Sequence, residues 1–343
     1  MRRKEKKKME KKKKMKKKDW MRIGAFALAL VTVIGIVAGC FYLPHDDHDH
    51  DHDHDHEEEY DDPNILKASE NGTLYALVLE DYLLAFAKLE KEPEVGMSYA
   101  NKEFGKRDIT AIYKDFENSS FESNSDVIWR EYTDKIYQVS VDSTFSPVST
   151  AYWFYGFDKC FSMNLDKLDM SKVTTMNSMF AFCNELFDVN FSDWDTSNVT
   201  DMSHLFQSCY ELYHINISNW NTSKVTNMSN MFRDCTGVDY IEAINMDTSN
   251  VTDTSHMFDG CKKLSHLSLL FWKTEKVTDM SAMFRKCENL SLDTSSWDIS
   301  SVLSFENFNE EAPEVVSPFE TEEEKEENEK EIMPIETEKI EGN

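Results

Sequence analysis

Residues 194–209 read WDTSNVTDMSHLFQSC, and residues 220–235 read WNTSKVTNMSNMFRDC. The two segments start 26 residues apart and share Trp, Thr, Ser, Val, Met, Phe and Cys at matching positions. The same register continues through five units, and its most regular columns are Val173, Val199, Val225, Val251 and Val277, then Phe180, Phe206, Phe232, Phe258 and Phe284, then Cys183, Cys209, Cys235, Cys261 and Cys287. A tandem repeat of this length predicts a stack of structural units in which each unit contacts its neighbours.

One unit has the pattern of a single solenoid coil. The segment Leu212–Trp220 has the spacing of a leucine-rich repeat, and its alternating apolar residues predict a short strand with one buried face. The following segment, Val225–Cys235, carries apolar residues at spacings that predict one face of a short helix or 3₁₀ segment. We therefore predict an α/β repeat fold, a right-handed leucine-rich-repeat-like solenoid of short parallel strands and short helices, over residues 151–308.

Three further segments surround the predicted solenoid. Residues 97–150 contain short alternating runs that predict a small N-terminal cap over the open edge of the first coil. Residues 64–96 predict a helical segment, because the chain there is dense in apolar residues until Pro93. Residues 309–343 are rich in glutamate and predict a disordered acidic tail.

Opposite charges occupy the two ends of the chain. The 343 residues have a formal net charge of −27, yet residues 1–22 hold 14 Lys/Arg and 3 Asp/Glu. Ile23–Leu43 follows with 21 uncharged residues, enough for a helix that spans a bilayer. The positive-inside rule predicts a basic cytoplasmic segment at residues 1–22, a transmembrane anchor and an extracellular bulk. The basic residues thus indicate topology and contact with the membrane, and no nucleic-acid partner is expected.

Two interpretations of the apolar segment remain open at Cys40. Val37–Cys40 has the form of a lipobox, in which small residues precede a cysteine that receives a lipid after signal cleavage. The apolar run, however, continues past that cysteine to Leu43, which is typical of an uncleaved signal anchor. Both interpretations predict a cell-membrane protein, either lipid-anchored or single-pass.

The linker at residues 44–63 has the chemistry of a metal-binding segment. It contains six histidines and six aspartates in twelve residues, and the candidate metal ligands are His45, His48, His50, His52, His54 and His56. Imidazole and carboxylate groups suit zinc, nickel or copper, but a flexible alternating segment predicts weak binding in several modes. No motif in the chain requires a cofactor, and a solvated, charged spacer is the alternative interpretation.

The cysteine column predicts buried thiols that act as small apolar residues. One cysteine every 26 residues lacks the close pairing of a zinc site, and an odd number cannot form a fully paired disulfide scaffold. The chain also has no recognisable nucleophile–base–acid motif, phosphate-binding loop or dinucleotide fingerprint, so a non-enzymatic protein is expected.

Side chains between the core positions of the predicted strands point away from the core. If the strands line an open face, exposed aromatic, acidic and amide residues there indicate a protein-binding surface. The candidate partner-binding residues are Phe187, Asp188, Asn190, Tyr213, His214, Asn216, Tyr240, Glu242 and His266. The alternatives are a surface protein that captures metal with the His/Asp-rich segment and a passive structural protein of the envelope.

The two quoted segments resemble the repeat of BspA-like leucine-rich-repeat bacterial surface proteins, a family that includes mycoplasma-type surface lipoproteins. The resemblance covers about Arg107–Phe308, and Trp153–Gly156 is similar to part of the cap of that family. Met246 and Glu275 depart from the repeat, in columns otherwise held by Trp and Ser. The resemblance implies a cell-surface protein that binds a host or neighbouring-cell protein, by adhesion or another protein–protein contact.

Overall fold

The computed structural model describes residue 62 and residues 64–191, 193–269 and 271–319. Short strands dominate these ranges, and three single 3₁₀ turns lie at Glu80–Tyr82, Arg130–Tyr132 and Met170–Lys172. The strands are β1 (Ile65–Lys67), β2 (Thr73–Leu79), β3 (Leu83–Leu89), β4 (Ser98–Asn101), β5 (Gly105–Lys114), β6 (Gln138–Val141), β7 (Ser162–Asn164), β8 (Asp188–Val189), β9 (His214–Asn216), β10 (Tyr240–Glu242), β11 (His266–Leu267), β12 (Leu292–Asp293) and β13 (Val315–Val316).

Residues 64–96 form strands, so the prediction of a helical segment there is wrong. β2 and β3 pair as an antiparallel hairpin, and both strands are buried along most of their length. Alternate side chains of β2 enter two different cores: Leu74, Ala76 and Val78 enter one, and Tyr75, Leu77 and Leu79 enter the other. A strand buried on both faces is apolar at every position, and such a run does not distinguish a strand from a buried helix.

The N-terminal cap is a sheet that joins the solenoid directly. Its strand order is β1-β4-β5-β2-β3-β6-β7-β8, and a bridge between Ser69 and Lys88 brings the segment after β1 next to β3. Strands β1 to β5 contain a second core, which includes Tyr99 and Ile109. The cap therefore begins at β1 rather than at residue 97, and the parallel pairing of β3 with β6 carries its sheet into the first coil.

From β6 onward the strands stack as the repeat predicts. Neighbouring coils pair in parallel and in register, as between Ile215 of β9 and Ile241 of β10. Strand pairing is interrupted between β8 and β9 and between β11 and β12. The strands therefore form the sheet that ends at β8, the sheet β9–β11 and the pair β12–β13. The expected solenoid of short parallel strands is confirmed.

The second limb of each coil is a run of turns, and the short helices expected there are not formed. In the segment Val225–Cys235, Cys235 donates its N–H to the Phe232 carbonyl three residues back, at 3.1 Å. The N–H of Phe232 instead donates to the Met257 carbonyl of the next coil, at 2.9 Å. Bonds within a turn and bonds to the next coil therefore alternate along the limb.

The spacing between coils explains this limb. Parallel strands are ~4.8 Å apart, whereas an α-helix with its side chains is about 10 Å wide and would hold adjacent coils apart. The turns are flatter because Asn230 and Asp234 adopt left-handed backbone conformations, each with φ of 58°. Left-handed residues interrupt a helix and aim alternate N–H groups at the neighbouring coil.

The repeat columns form the core, with phenylalanine at its centre. Neighbouring ring centroids lie 5.4–5.7 Å apart along the column Phe154, Phe180, Phe206, Phe232, Phe258 and Phe284. The predicted buried thiols are confirmed, since the five column cysteines are fully buried and free. Each thiol donates to a phenylalanine carbonyl of the preceding coil, as Cys235 does to Phe206 at 3.0 Å. Burial raises the pKa of Cys235 to about 12.

The solenoid extends past its predicted end at residue 308. Ala312 and Val315 are buried, and β13 pairs in parallel with β12, so the prediction of a disordered tail is wrong for residues 309–319. The sequence interval from Trp272 to Trp297 is 25 residues instead of 26. Because of this deletion, the residues of the last coil lie one position earlier than a 26-residue period predicts. The repeat is therefore less evident in the sequence of that coil.

No helix within the described ranges is long and apolar enough to cross a membrane. The predicted basic segment at residues 1–22 and the predicted anchor Ile23–Leu43 lie outside those ranges. Their roles stay predictions.

The phenylalanine stack predicts a large loss of stability on truncation. Phe232→Ala should lower the free energy of unfolding by about 3–5 kcal/mol, because the neighbouring coils cannot close over the cavity. Phe271→Ala is the matched control: its ring is exposed, and the expected change is within about 0.5 kcal/mol. Urea denaturation followed by circular dichroism measures both free energies of unfolding. Equal losses of stability in the two variants would contradict a stabilising role of the phenylalanine column.

Candidate protein-interaction surface

The strands of the solenoid present one face to solvent. Ile215 and Ile241 point into the core, and the residues beside them point outward. The aromatic candidates are well exposed: Phe187 is 48% exposed, Tyr213 57% and Tyr240 40%. Large aromatic side chains with this exposure are poorly placed to stabilise the coil and well placed to contact a partner.

The remaining candidates whose side chains the structure describes lie on the same face. Glu242 is half-buried, and Asp188 contributes its backbone to β8 while its side chain lies outside the described part of the structure. Asn216 accepts hydrogen bonds from the N–H and hydroxyl of Ser218, so it shapes the turn after β9. Asn190 donates to Asp166 at 3.3 Å. The exposed polar candidates are Asn190, His214, Asn216 and His266.

Three of the candidate rings form one column across β9, β10 and β11. The His214 and Tyr240 rings stack with centroids 5.1 Å apart and planes 10° apart. His266 contacts the other side of Tyr240 edge-on, at 6.0 Å. The Nε2 of His214 also lies 3.9 Å from a carboxylate oxygen of Glu242. Tyr240 is thereby held between two imidazoles and presents a fixed edge to solvent.

A hydrogen-bond network holds Tyr213 beside this column. The hydroxyl of Ser265 donates to Asp239 at 2.5 Å, and the hydroxyl of Tyr213 donates to the other carboxylate oxygen at 3.3 Å. The Ser265 bond, with help from Tyr213 and the nearby imidazole of His266, holds the pKa of Asp239 below its ordinary value. Asp239 is therefore a carboxylate at neutral pH, on the same open face as the aromatic rings.

Ser265, His266 and Asp239 are close together, but their order differs from that of a hydrolytic triad. In a triad the histidine lies between the serine and the carboxylate and is oriented by the carboxylate. Here the Ser265 hydroxyl lies between the other two groups, 2.7 Å from Nδ1 of His266 and 2.5 Å from Asp239. The carboxylate therefore orients the hydroxyl and does not orient the imidazole, and the cluster works as a hydrogen-bonded scaffold for Tyr213.

Two exposed aromatic residues on this face were missed by sequence reasoning. Tyr137 and Phe161 are 41% and 38% exposed, and the Phe161 N–H donates to the Tyr137 carbonyl at 3.1 Å. Phe161 precedes Phe187 by one repeat period, so the 26-residue register contained a signal for it. Tyr137 lies only 24 residues before Phe161 and is placed by the pairing of β6 with β7.

These residues together form what we call the aromatic strip: Tyr137, Phe161, Phe187, Tyr213 and Tyr240. The first four occupy one column, each directly before one of the strands β6 to β9, and Tyr240 is the first residue of β10, one column across. At the strand spacing of ~4.8 Å, four neighbouring positions extend over about 15 Å. These exposed rings follow one another along the stack of an otherwise acidic protein.

Metal and lipid sites predicted from the sequence fall elsewhere. His45, His48, His50, His52, His54, His56 and Cys40 all lie outside the described ranges, so zinc binding and lipidation there stay predictions. Within the described ranges, no three His, Cys, Asp or Glu side chains are grouped so that they could hold a metal ion.

A comparison with known protein families identifies the repeat region. A family model described as "Mycoplasma protein of unknown function, DUF285" matches residues 149–241 and 238–333, which confirms the resemblance to a mycoplasma-type repeat family. No curated protein matches the chain. The crystal structure of a leucine-rich repeat protein from Eubacterium ventriosum is 13% identical and has a TM-score of 0.20; the match covers 72% of this chain and 83% of that one.

The network around Asp239 predicts a specific titration. Ser265→Ala removes the hydrogen bond that lowers the pKa of Asp239 most, so that pKa should rise toward its ordinary value. Because the folded-state pKa is lowered, these bonds stabilise the fold above the ordinary pKa, and that stabilisation is lost as the pH falls through the folded value. Carbon-13 NMR titration of the carboxyl group measures the shift. Ser268→Ala should leave it unchanged, and a midpoint that is the same in both variants would contradict the network.

Proposed function

This chain belongs to the family of Mycoplasma proteins of unknown function, DUF285, and we propose that it is an interaction protein that binds a protein on a host or neighbouring cell. The aromatic strip is the observation that carries the proposal. Five exposed rings lie at the beginning of the successive strands β6 to β10, where they contribute little to the core and can contact a partner surface. Tyrosine and phenylalanine are enriched at protein interfaces, where they often supply most of the binding energy.

The setting of the strip supports this function further. Asp239 accepts a hydrogen bond from Tyr213, and Glu242 lies beside His214, so polar groups adjoin the aromatic rings, as in protein–protein interfaces. The His214–Tyr240–His266 contacts and the Tyr213–Asp239 hydrogen bond hold the rings in place before a partner arrives. Rings that are already fixed lose little conformational entropy on binding, which favours affinity.

The sequence pattern supports an outward-facing location for this surface. In the proposed arrangement the lysine tract stays in the cytoplasm, Ile23–Leu43 anchors the protein, and the His/Asp-rich linker separates the cap from the membrane. An anchored protein with an extracellular solenoid is suited to adhesion. Surface capture of zinc by His45–His56 remains the second proposal, and it rests on that composition alone.

Removing rings from the strip should abolish most binding without unfolding the protein. The full chain carrying Phe187→Ala, Tyr213→Ala and Tyr240→Ala should bind cultured epithelial cells and a mixed extracellular-matrix preparation about tenfold or more weakly, because three anchor side chains are lost. The matched control substitutes Tyr210, Ile244 and Phe271, which are exposed apolar residues outside the strip. Fluorescently labelled protein measures binding, and circular dichroism checks the fold. Equal binding by the two triple variants would overturn the assignment of the surface.

The anchor can be tested by the mass of the mature protein from membranes. An intact lysine tract identifies a signal anchor, and a diacylated or triacylated Cys40 at the N-terminus identifies a lipoprotein. In both cases, protease added to intact cells should remove the solenoid. Recovery of the full chain in the soluble cytoplasmic fraction would contradict the proposed location.

A further inference from the structure

A cavity of about 380 Å³ lies between the coil of β11 and the coil of β12. Its walls include the indoles of Trp272 and Trp297 and the apolar side chain of Leu267. The two indoles belong to the repeated Trp column and stack with centroids 6.1 Å apart. Both are only partly buried, so they contribute surface to the cavity as well as to the core.

Two departures from the repeat lie beside this cavity. The strand ladder is interrupted here, since β11 pairs with β10 and β12 pairs with β13. The interval from Trp272 to Trp297 is also one residue shorter than the period. β11 and β12 are themselves one full period apart, from His266 to Leu292, so the missing residue lies between β12 and Trp297, in the segment that carries the lining residue Ser296.

A third departure places a carboxylate beside the same cavity. The coils of β8, β9 and β10 have an Asp/Asn-Thr-Ser turn at this position, in which the acid or amide accepts the serine N–H, as Asn221 does from Ser223. The coil of β11 has Lys273-Thr274-Glu275 instead. Thr274 keeps its buried place, and Glu275 lines the cavity where the repeat would supply a small serine.

The charged residues that line the cavity are all acidic. Glu275, Asp293 and Asp298 are among its lining residues, and none of the lining residues is Lys or Arg. Hydrogen bonds from the side chain and backbone N–H of Ser300 hold the pKa of Asp298 below its ordinary value. Carboxylates next to indole rings make a site for a cation, because the ring face and the acid both attract positive charge.

We propose that this cavity binds the guanidinium group of an arginine side chain presented by a partner protein. A guanidinium is planar, so it packs against an indole while its N–H groups donate to carboxylates. The formal net charge of −27 favours the approach of a basic partner. The inference is independent of the aromatic strip, because the cavity lies one coil further along and binds a single side chain.

The test uses the full chain in neutral detergent micelles and two small probes. Nα-acetyl-arginine methylamide carries the guanidinium, and Nα-acetyl-citrulline methylamide is its uncharged isostere. The indole N–H signals of Trp272 and Trp297, assigned by single Trp→Phe substitutions, report binding by NMR. Addition of the arginine probe should shift both signals, and the citrulline probe should bind about tenfold or more weakly. Unshifted signals with the arginine probe, or equal binding of the two probes, would overturn the proposal.

Variants that follow the repeat remove the carboxylates without new strain. Glu275→Ser restores the residue of the other coils, and Asp298→Asn copies Asn221, which holds the same turn. The double variant should bind the arginine probe about tenfold or more weakly, whereas Glu211→Gln, an exposed control in another coil, should bind it unchanged. If the double variant unfolds, Glu275→Ser alone should still weaken binding. Equal affinity of Glu275→Ser and the control would overturn the proposal, whatever the result with the triple variant of the aromatic strip.

Discussion

The separation of hydrogen-bonded coils, ~4.8 Å, is the constraint on which the rest of this structure depends. It acts on both limbs of the coil. On one limb, short parallel strands pair at this separation, as β9 and β10 do at Ile215 and Ile241. On the other, a helix is too wide, so left-handed residues such as Asn230 flatten the chain and direct alternate N–H groups to the next coil. One coil, made of a short strand and a limb of turns, takes 26 residues, which is the period of the repeat.

The same constraint decides which side chains each column accepts. A residue in the core contacts its own copies above and below, so a column needs a shape that stacks on itself at this spacing. The rings of Phe206 and Phe232 do so with planes 10° apart. Polar columns follow the same logic: the exposed Thr226 hydroxyl donates to the Thr200 carbonyl of the coil before it, at 3.2 Å. Stability is then shared along the stack, and loss of one member weakens both neighbouring interfaces.

We expect binding sites at positions whose side chains do not have to stack on their copies in the neighbouring coils. Outward-facing positions on the strands need not stack, and there the column of Phe187 and Tyr213 changes to Asp239 and Ser265 further along. The result is a surface whose composition varies along a regular scaffold, with aromatic residues toward the cap and hydrogen-bonded polar residues beyond them. The second such place is the cavity between the coils of β11 and β12, where Glu275 replaces the serine of the repeat and the interval to Trp297 is one residue short. A regular core therefore positions two irregular surfaces.

The sequence by itself determined the period, the parallel stacking and the buried columns, because identical residues at a fixed spacing identify the inward positions without knowledge of the partner. It also identified Phe187, Tyr213 and Tyr240 as outward-facing. Only the tertiary structure decided that residues 64–96 form a hairpin and that the second limb is a run of turns. It alone placed Tyr137 on the aromatic strip. These features depend on which part of the protein packs against an element, either a second core or a neighbouring coil. The spacing of residues within the element does not indicate that contact.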